Sequence, residues 1–128
     1  MVHLDTSFLI RALVPDSEQD VRLRGWLRAG EPLAMSAIGW AEFLCGPIEE
    51  HHLELVARFL PERVPFLDDH ATLAARLFNL TGRRRGSLMD CMIAATAVRA
   101  AALLATANPR DFSRFESAGL RMIPGGVR

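Results

Sequence analysis

Lysine is absent: all fifteen basic residues among the 128 are arginine. That excludes mechanisms requiring a side-chain amine, a P-loop lysine or a Schiff base among them. Cysteine is scarce. Cys45 and Cys91 stand alone in apolar surroundings, which excludes a disulfide framework or a cysteine metal site and points to a reducing cytoplasm. There is no basic-then-apolar leader and no apolar run long enough to cross a bilayer, so a cytosolic protein without a membrane partner is expected. Net charge is missing too, because fifteen acidic residues balance the arginines. No global field marks a polyanion as partner, although a cancelled total permits local opposites.

What is present describes a compact globule. Half the residues are hydrophobic and 23% are charged, and the length suits a single domain spanning 1–128. Val2 to Leu4 reads as a short buried strand and Thr6 to Leu13 as a helix stopped by Pro15. Asp16 or Ser17 can cap a second helix that ends at Gly30. "PLAMS" suits a second strand, and Ser36 opens the helix "AIGWAEFLCG", closed by Gly46 and Pro47. A helix from about Ile48 to Leu60 follows, then "RVPFL" as a third strand whose proline favours an edge or an end.

Asp68 or Asp69 opens the next helix, and the turn "TGRRRG" ends it. Ser87 opens "SLMDCMIAATAVRAA". "ALLATA" suits a fourth strand, "NPRDFSRFESAG" a short helix and "LRMIP" a last strand. Strands alternating with helices predict an α/β fold with a parallel sheet covered on both faces.

Three acids lie outside polar runs: Asp5 after "VHL", Glu42 inside "IGWAEFLCG" and Asp90 inside "SLMDCMIAATA". Asp5 has a local explanation as the cap of the first helix. Asp90 has one as the partner of Ser87 in a capping box. Taken together the three need more. Semi-buried carboxylates from separate elements require arginine partners or a cation, and oxygen ligands suit Mg²⁺ or Mn²⁺ better than zinc. A further polar cluster, "TANPRDF", follows the fourth strand and offers Thr106, Asn108 and Asp111 at the sheet end where Asp5 emerges. A carboxylate cage around magnesium suits phosphodiester cleavage.

In order along the chain, "LDTSFLI", "WAEF.CG", "DCMIAATA" and "TANPRDF" resemble the successive motifs of PIN-domain ribonucleases, in particular the VapC-type toxins of toxin–antitoxin pairs. The resemblance implies a three-layer α/β/α sandwich around a parallel sheet of four or five strands. It implies an endoribonuclease dependent on Mg²⁺ or Mn²⁺, a homodimer, and a separate antitoxin chain. Asp5, Glu42 and Asp90 match the three principal acidic positions, and the fourth is open between Asn108 and Asp111. Thr6 or Ser7, and Thr106, resemble the supporting hydroxyl positions.

Other features weigh less. Arg83, Arg84 and Arg85 form a positive patch that suits a solvated helix end or a contact with RNA phosphate. His51 and His52 are expected to point different ways with no ligand role, and His3 to be structural. Trp26, Trp40, Phe43 and Phe59 suit core or an oligomer contact more than base stacking. Trp26, Leu53 and Phe59, if exposed, would mark that contact. Two other functions compete. One is a phosphotransfer domain using Asp5 as acceptor, which the missing lysine opposes. The other is a PIN-like binding module with weak or no catalysis.

Overall fold

In the computed structural model, which describes residues 1–124, four short strands form one parallel sheet. They are β1 (Val2–Leu4), β2 (Leu33–Ala34), β3 (Leu103–Ala105) and β4 (Arg121–Met122), in the order β2-β1-β3-β4. In register, Val2 stands opposite Leu33 and Leu103, and Leu4 opposite Ala105. Parallel neighbours in register share a face, and successive residues alternate between faces. Val2, Leu4 and Ala105 therefore face one core with Phe8, Leu9, Met35 and Phe43, whereas Leu104 faces a second with Leu77, Ile93, Ala97 and Phe115. The result is the α/β/α sandwich expected from the sequence.

The first face is covered by helices α1 (Thr6–Ala12), α2 (Glu18–Ala29), α3 (Ala37–Leu44) and α4 (Glu50–Phe59). The second is covered by α5 (Asp68–Leu80), α6 (Leu88–Arg99), the short α7 (Pro109–Phe112) and a 3-10 segment over Ser113–Ala118. Helix starts follow their caps. Ser17 accepts from the Asp20 amide, Ser36 from the Gly39 amide, and Gly30 ends α2 with φ +73°.

"RVPFL" does not become a strand. Val64 makes a single parallel bridge, its amide donating to Met35 O and its carbonyl accepting from Ala37 N, both at 2.9 Å. Pro65 has no amide to continue the ladder. Trp26, Leu53 and Phe59 are likewise not left exposed: they are partly buried against the first core, with Trp26 stacked on Phe8. The large apolar side chains facing solvent are others, including Ile10, Val14, Leu27, Leu44, Leu55 and Leu80. No described helix is long and apolar enough to cross a membrane.

Candidate functional site

The chain leaves β1 toward β2 on one side and later returns to place β3 on the other. Such a reversal opens a crevice at the carboxyl ends of the two central strands. The Leu4–Ala105 pairing sets the next residues, Asp5 and Thr106, side by side there, and the Asp5 amide donates to Ala105 O at 3.0 Å. Asp5 is buried. Its Oδ1 accepts from the Phe8 amide and the Ser7 hydroxyl, each at 2.8 Å, and its Oδ2 from the Thr106 hydroxyl at 2.6 Å. Ser7 also accepts from the Ala107 amide, and Thr106 from the Asn108 amide, so the β3–α7 loop is tied to the start of α1. Thr6 takes no part in holding the carboxylate, since its hydroxyl donates to Gly39 O at 2.9 Å and joins α1 to α3.

Around Asp5 lies a cavity of about 300 Å³, lined also by Glu42 from α3, Asp90 from α6, and Asn108 and Asp111 at α7. Ile10, Ile93 and Phe112 form its apolar walls. Of the acids only Asp5 is fully buried; Asp90 is half-buried, and Glu42 and Asp111 are exposed at the rim. The apolar neighbours of Glu42 had suggested otherwise. On α3 it is Gly39 and Phe43, four apart, that turn inward, which rotates Glu42 to the edge. The capping box that would explain Asp90 locally is not formed, because the Ser87 hydroxyl donates to Arg84 O at 2.7 Å and makes no side-chain cap bond to α6.

Burial pushes the Asp5 carboxyl above its ordinary range, and the Glu42 charge adds to the rise against the three hydrogen bonds that oppose it. Asp90 is pushed up to about 6, first by burial and then by Asp111, with Glu42 and Asp5 contributing and Arg114 opposing. Arg114 Nη2 lies 3.9 Å from Asp90 Oδ2. No sequence feature had singled out this arginine. The available signal was its place three residues after Asp111, one helical turn away.

The remaining sequence candidates lie apart. Arg83, Arg84 and Arg85 occupy the exposed turn after α5 and do not line the acidic cavity. His3 is buried in the sheet, Nε2 lacks a partner, and burial lowers its pKa to about 4. His51 and His52 do not diverge as expected. Their rings are 4.1 Å apart, and with Glu49 they bring three ligand-type atoms within 4.8 Å of one another at the start of α4. None of the three lines the acidic cavity, whose own carboxylates stand more widely apart.

A family model, the PIN domain, matches residues 2–117. The chain belongs to the PIN domain family. Among solved structures, this PIN domain is similar to a chain of VapBC2 from Rickettsia felis bound to a promoter DNA fragment, with a TM-score of 0.76 and 21% identity over 98% of this chain and 100% of that one. It is also similar to a chain of a toxin–antitoxin complex from Klebsiella pneumoniae (TM-score 0.71, 25% identity, 88% and 91% covered). A third similarity is to VapBC-5 from Mycobacterium tuberculosis (TM-score 0.60, 27% identity, 94% and 97% covered). No curated protein sequence matches the chain.

Proposed function

We propose that this PIN domain is an endoribonuclease dependent on Mg²⁺ or Mn²⁺, acting as a toxin that a separate antitoxin chain neutralises. The observation that carries it is the meeting of Asp5, Glu42, Asp90 and Asp111 at one cavity beside the sheet's central strand ends. The donor set fits a hard divalent cation: it is all oxygen, and its negative charge is opposed nearby by Arg114 alone among the charges acting on Asp90. Raised carboxyl pKa values mark a cluster that a cation would relieve. Asp5, Glu42 and Asp90 would hold the ion, with Asn108 or Asp111 completing the set.

When bound, the ion would supply activation of water and neutralisation of charge on the scissile phosphate. The chain's own residues have distinct tasks. Ser7 and Thr106 fix the Asp5 carboxylate so that its orientation is set before substrate arrives. Ile10, Ile93 and Phe112 limit water at the cavity wall. The exposed rim, with Glu42, Asn108 and Asp111, leaves room for a polymer to enter from the side.

The antitoxin is inferred from the similarity to chains of toxin–antitoxin structures across nearly their whole length. Exposed apolar side chains such as Leu44 and Leu55 suit a homodimer contact, which light scattering would register as twice the chain mass. The deciding test is cleavage of single-stranded RNA in Mg²⁺ or Mn²⁺. Activity that EDTA abolishes and added metal restores is expected. RNA left intact by folded, metal-loaded protein would sink the ribonuclease reading and favour a binding module.

A further inference from the structure

Another cavity, of about 380 Å³, lies between α5 and the 3-10 segment. Arg76, Thr81, Arg114 and Ser117 are its polar lining, and Leu77 and Leu80 lie among its apolar residues. Arg114 lines this cavity and meets the acidic one through Asp90. Its side chain is only 17% exposed, with Nη2 3.9 Å from Asp90 Oδ2, Nη1 donating to the Asp111 carbonyl and the guanidinium over the Phe115 ring. Its Nε is buried without a partner. Arg76 is exposed and makes no ion pair among the described residues; Asp69, on the same helix, is engaged by Arg99 at 2.9 Å.

We propose that this cavity is a subsite for the backbone phosphate of the nucleotide next to the scissile one, held by Arg76 and Arg114. The proposal rests on RNA being the polymer that enters the acidic site. A chain whose reacting phosphate sits among carboxylates brings its next phosphate close behind, where those acids repel it. Two guanidinium groups at the neighbouring cavity offset that repulsion, and Arg76, exposed and without an ion pair, can fit phosphate oxygens in a planar fork. Leu80, 64% exposed, offers apolar surface to a ribose or base. An uncharged peptide would leave Arg76 uncompensated, so charge favours the nucleotide.

The test uses a dye-labelled single-stranded RNA oligonucleotide and fluorescence anisotropy over a range of KCl, with the full chain in an Asp5→Asn background so that RNA is not consumed. Arg76→Gln is expected to weaken binding about three- to tenfold and to flatten the slope of log K against log[salt] by about 0.7. Arg58→Gln, an equal charge change on α4, is expected to leave both unchanged. In otherwise wild-type protein, Arg76→Gln should raise KM and spare kcat. Arg76 is solvent-facing, so its variant folds even if an Arg114 variant does not. An Arg76→Gln protein with the parent's affinity and salt slope overturns the subsite. Cleavage by wild type together with that result leaves the ribonuclease reading standing alone. RNA binding that depends on Arg76, without metal-dependent cleavage, keeps the cavity as a phosphate site and removes the ribonuclease reading. No RNA binding at all overturns both.

Discussion

At Asp5 a helix cap and a cavity wall are the same carboxylate. Oδ1 receives the Phe8 amide that starts α1, while Oδ2 receives Thr106 from the far end of the chain. Asp5→Asn keeps the capping acceptor, and the Thr106 hydroxyl can accept from the new amide. Since burial disfavours the Asp5 charge, the variant in EDTA at pH 7.5 should melt no lower than wild type. Its RNA cleavage should fall by more than about a hundredfold, the upper end of what losing a supporting partner outside the coordinating set costs. A variant as active as wild type would leave Asp5 as a cap only. Thr106→Val is the complementary change. It removes the 2.6 Å donor to Asp5 and the acceptor of the Asn108 amide, at a stability cost of about 1–3 kcal/mol. Mn²⁺ affinity, read by calorimetry on the folded protein, should drop about 10- to 100-fold.

Helices place the acids, and their starts were legible because caps are local chemistry: Ser17 and Ser36 bond amides three residues on. The third strand was not, because a run such as "RVPFL" looks extended whether or not it pairs, and only the tertiary position of Val64 decides that it makes one bridge. Asp5, Glu42, Asp90, Asn108 and Asp111 were legible as candidates from apolar flanks and motif order. The depth of Glu42 was not, since flanking residues do not reveal how α3 is rotated about its axis. Arg114 was invisible for a different reason: in a chain whose only cation is arginine, one more arginine has no contrast. Gly25 tests the same level of structure. It lies inside α2, and a Cβ there would meet nothing within 4 Å outside its own helix turn. Gly25→Ala should therefore stabilise the protein by roughly 0.5–1 kcal/mol, measured by urea unfolding, without changing activity.

Across the whole molecule two titrations oppose each other. Asp90 is raised from 3.8 to about 6, so the folded state binds more protons than the unfolded one in that window and stability is lost as pH rises through it. His3 is lowered from 6.5 to about 4, so its contribution is present above 6.5 and lost as pH falls through 4. The metal-free profile is flattened between pH 4 and 6, and the Asp90 effect must be read by difference. The stability of Asp90→Asn relative to wild type should grow from pH 4 to about 6 and level off above. Mn²⁺ should raise the wild-type melting temperature above pH 6 far more than that of the variant. A difference that stays constant with pH would remove Asp90 from the charged cluster. The pairing of Asp5 with Thr106 also has a consequence in time, because 101 positions separate the two. A ribosome adding about 5–20 residues per second delivers Asp5 and then needs about 5–20 s more to deliver Thr106. Until then β1 has no β3 beside it, Asp5 lacks its Oδ2 donor, and the acidic cavity has neither its floor nor Asn108 and Asp111. On the proposed reading, a nascent chain has no nuclease site until Thr106 is made, an interval in which a neutralising partner would already be waiting.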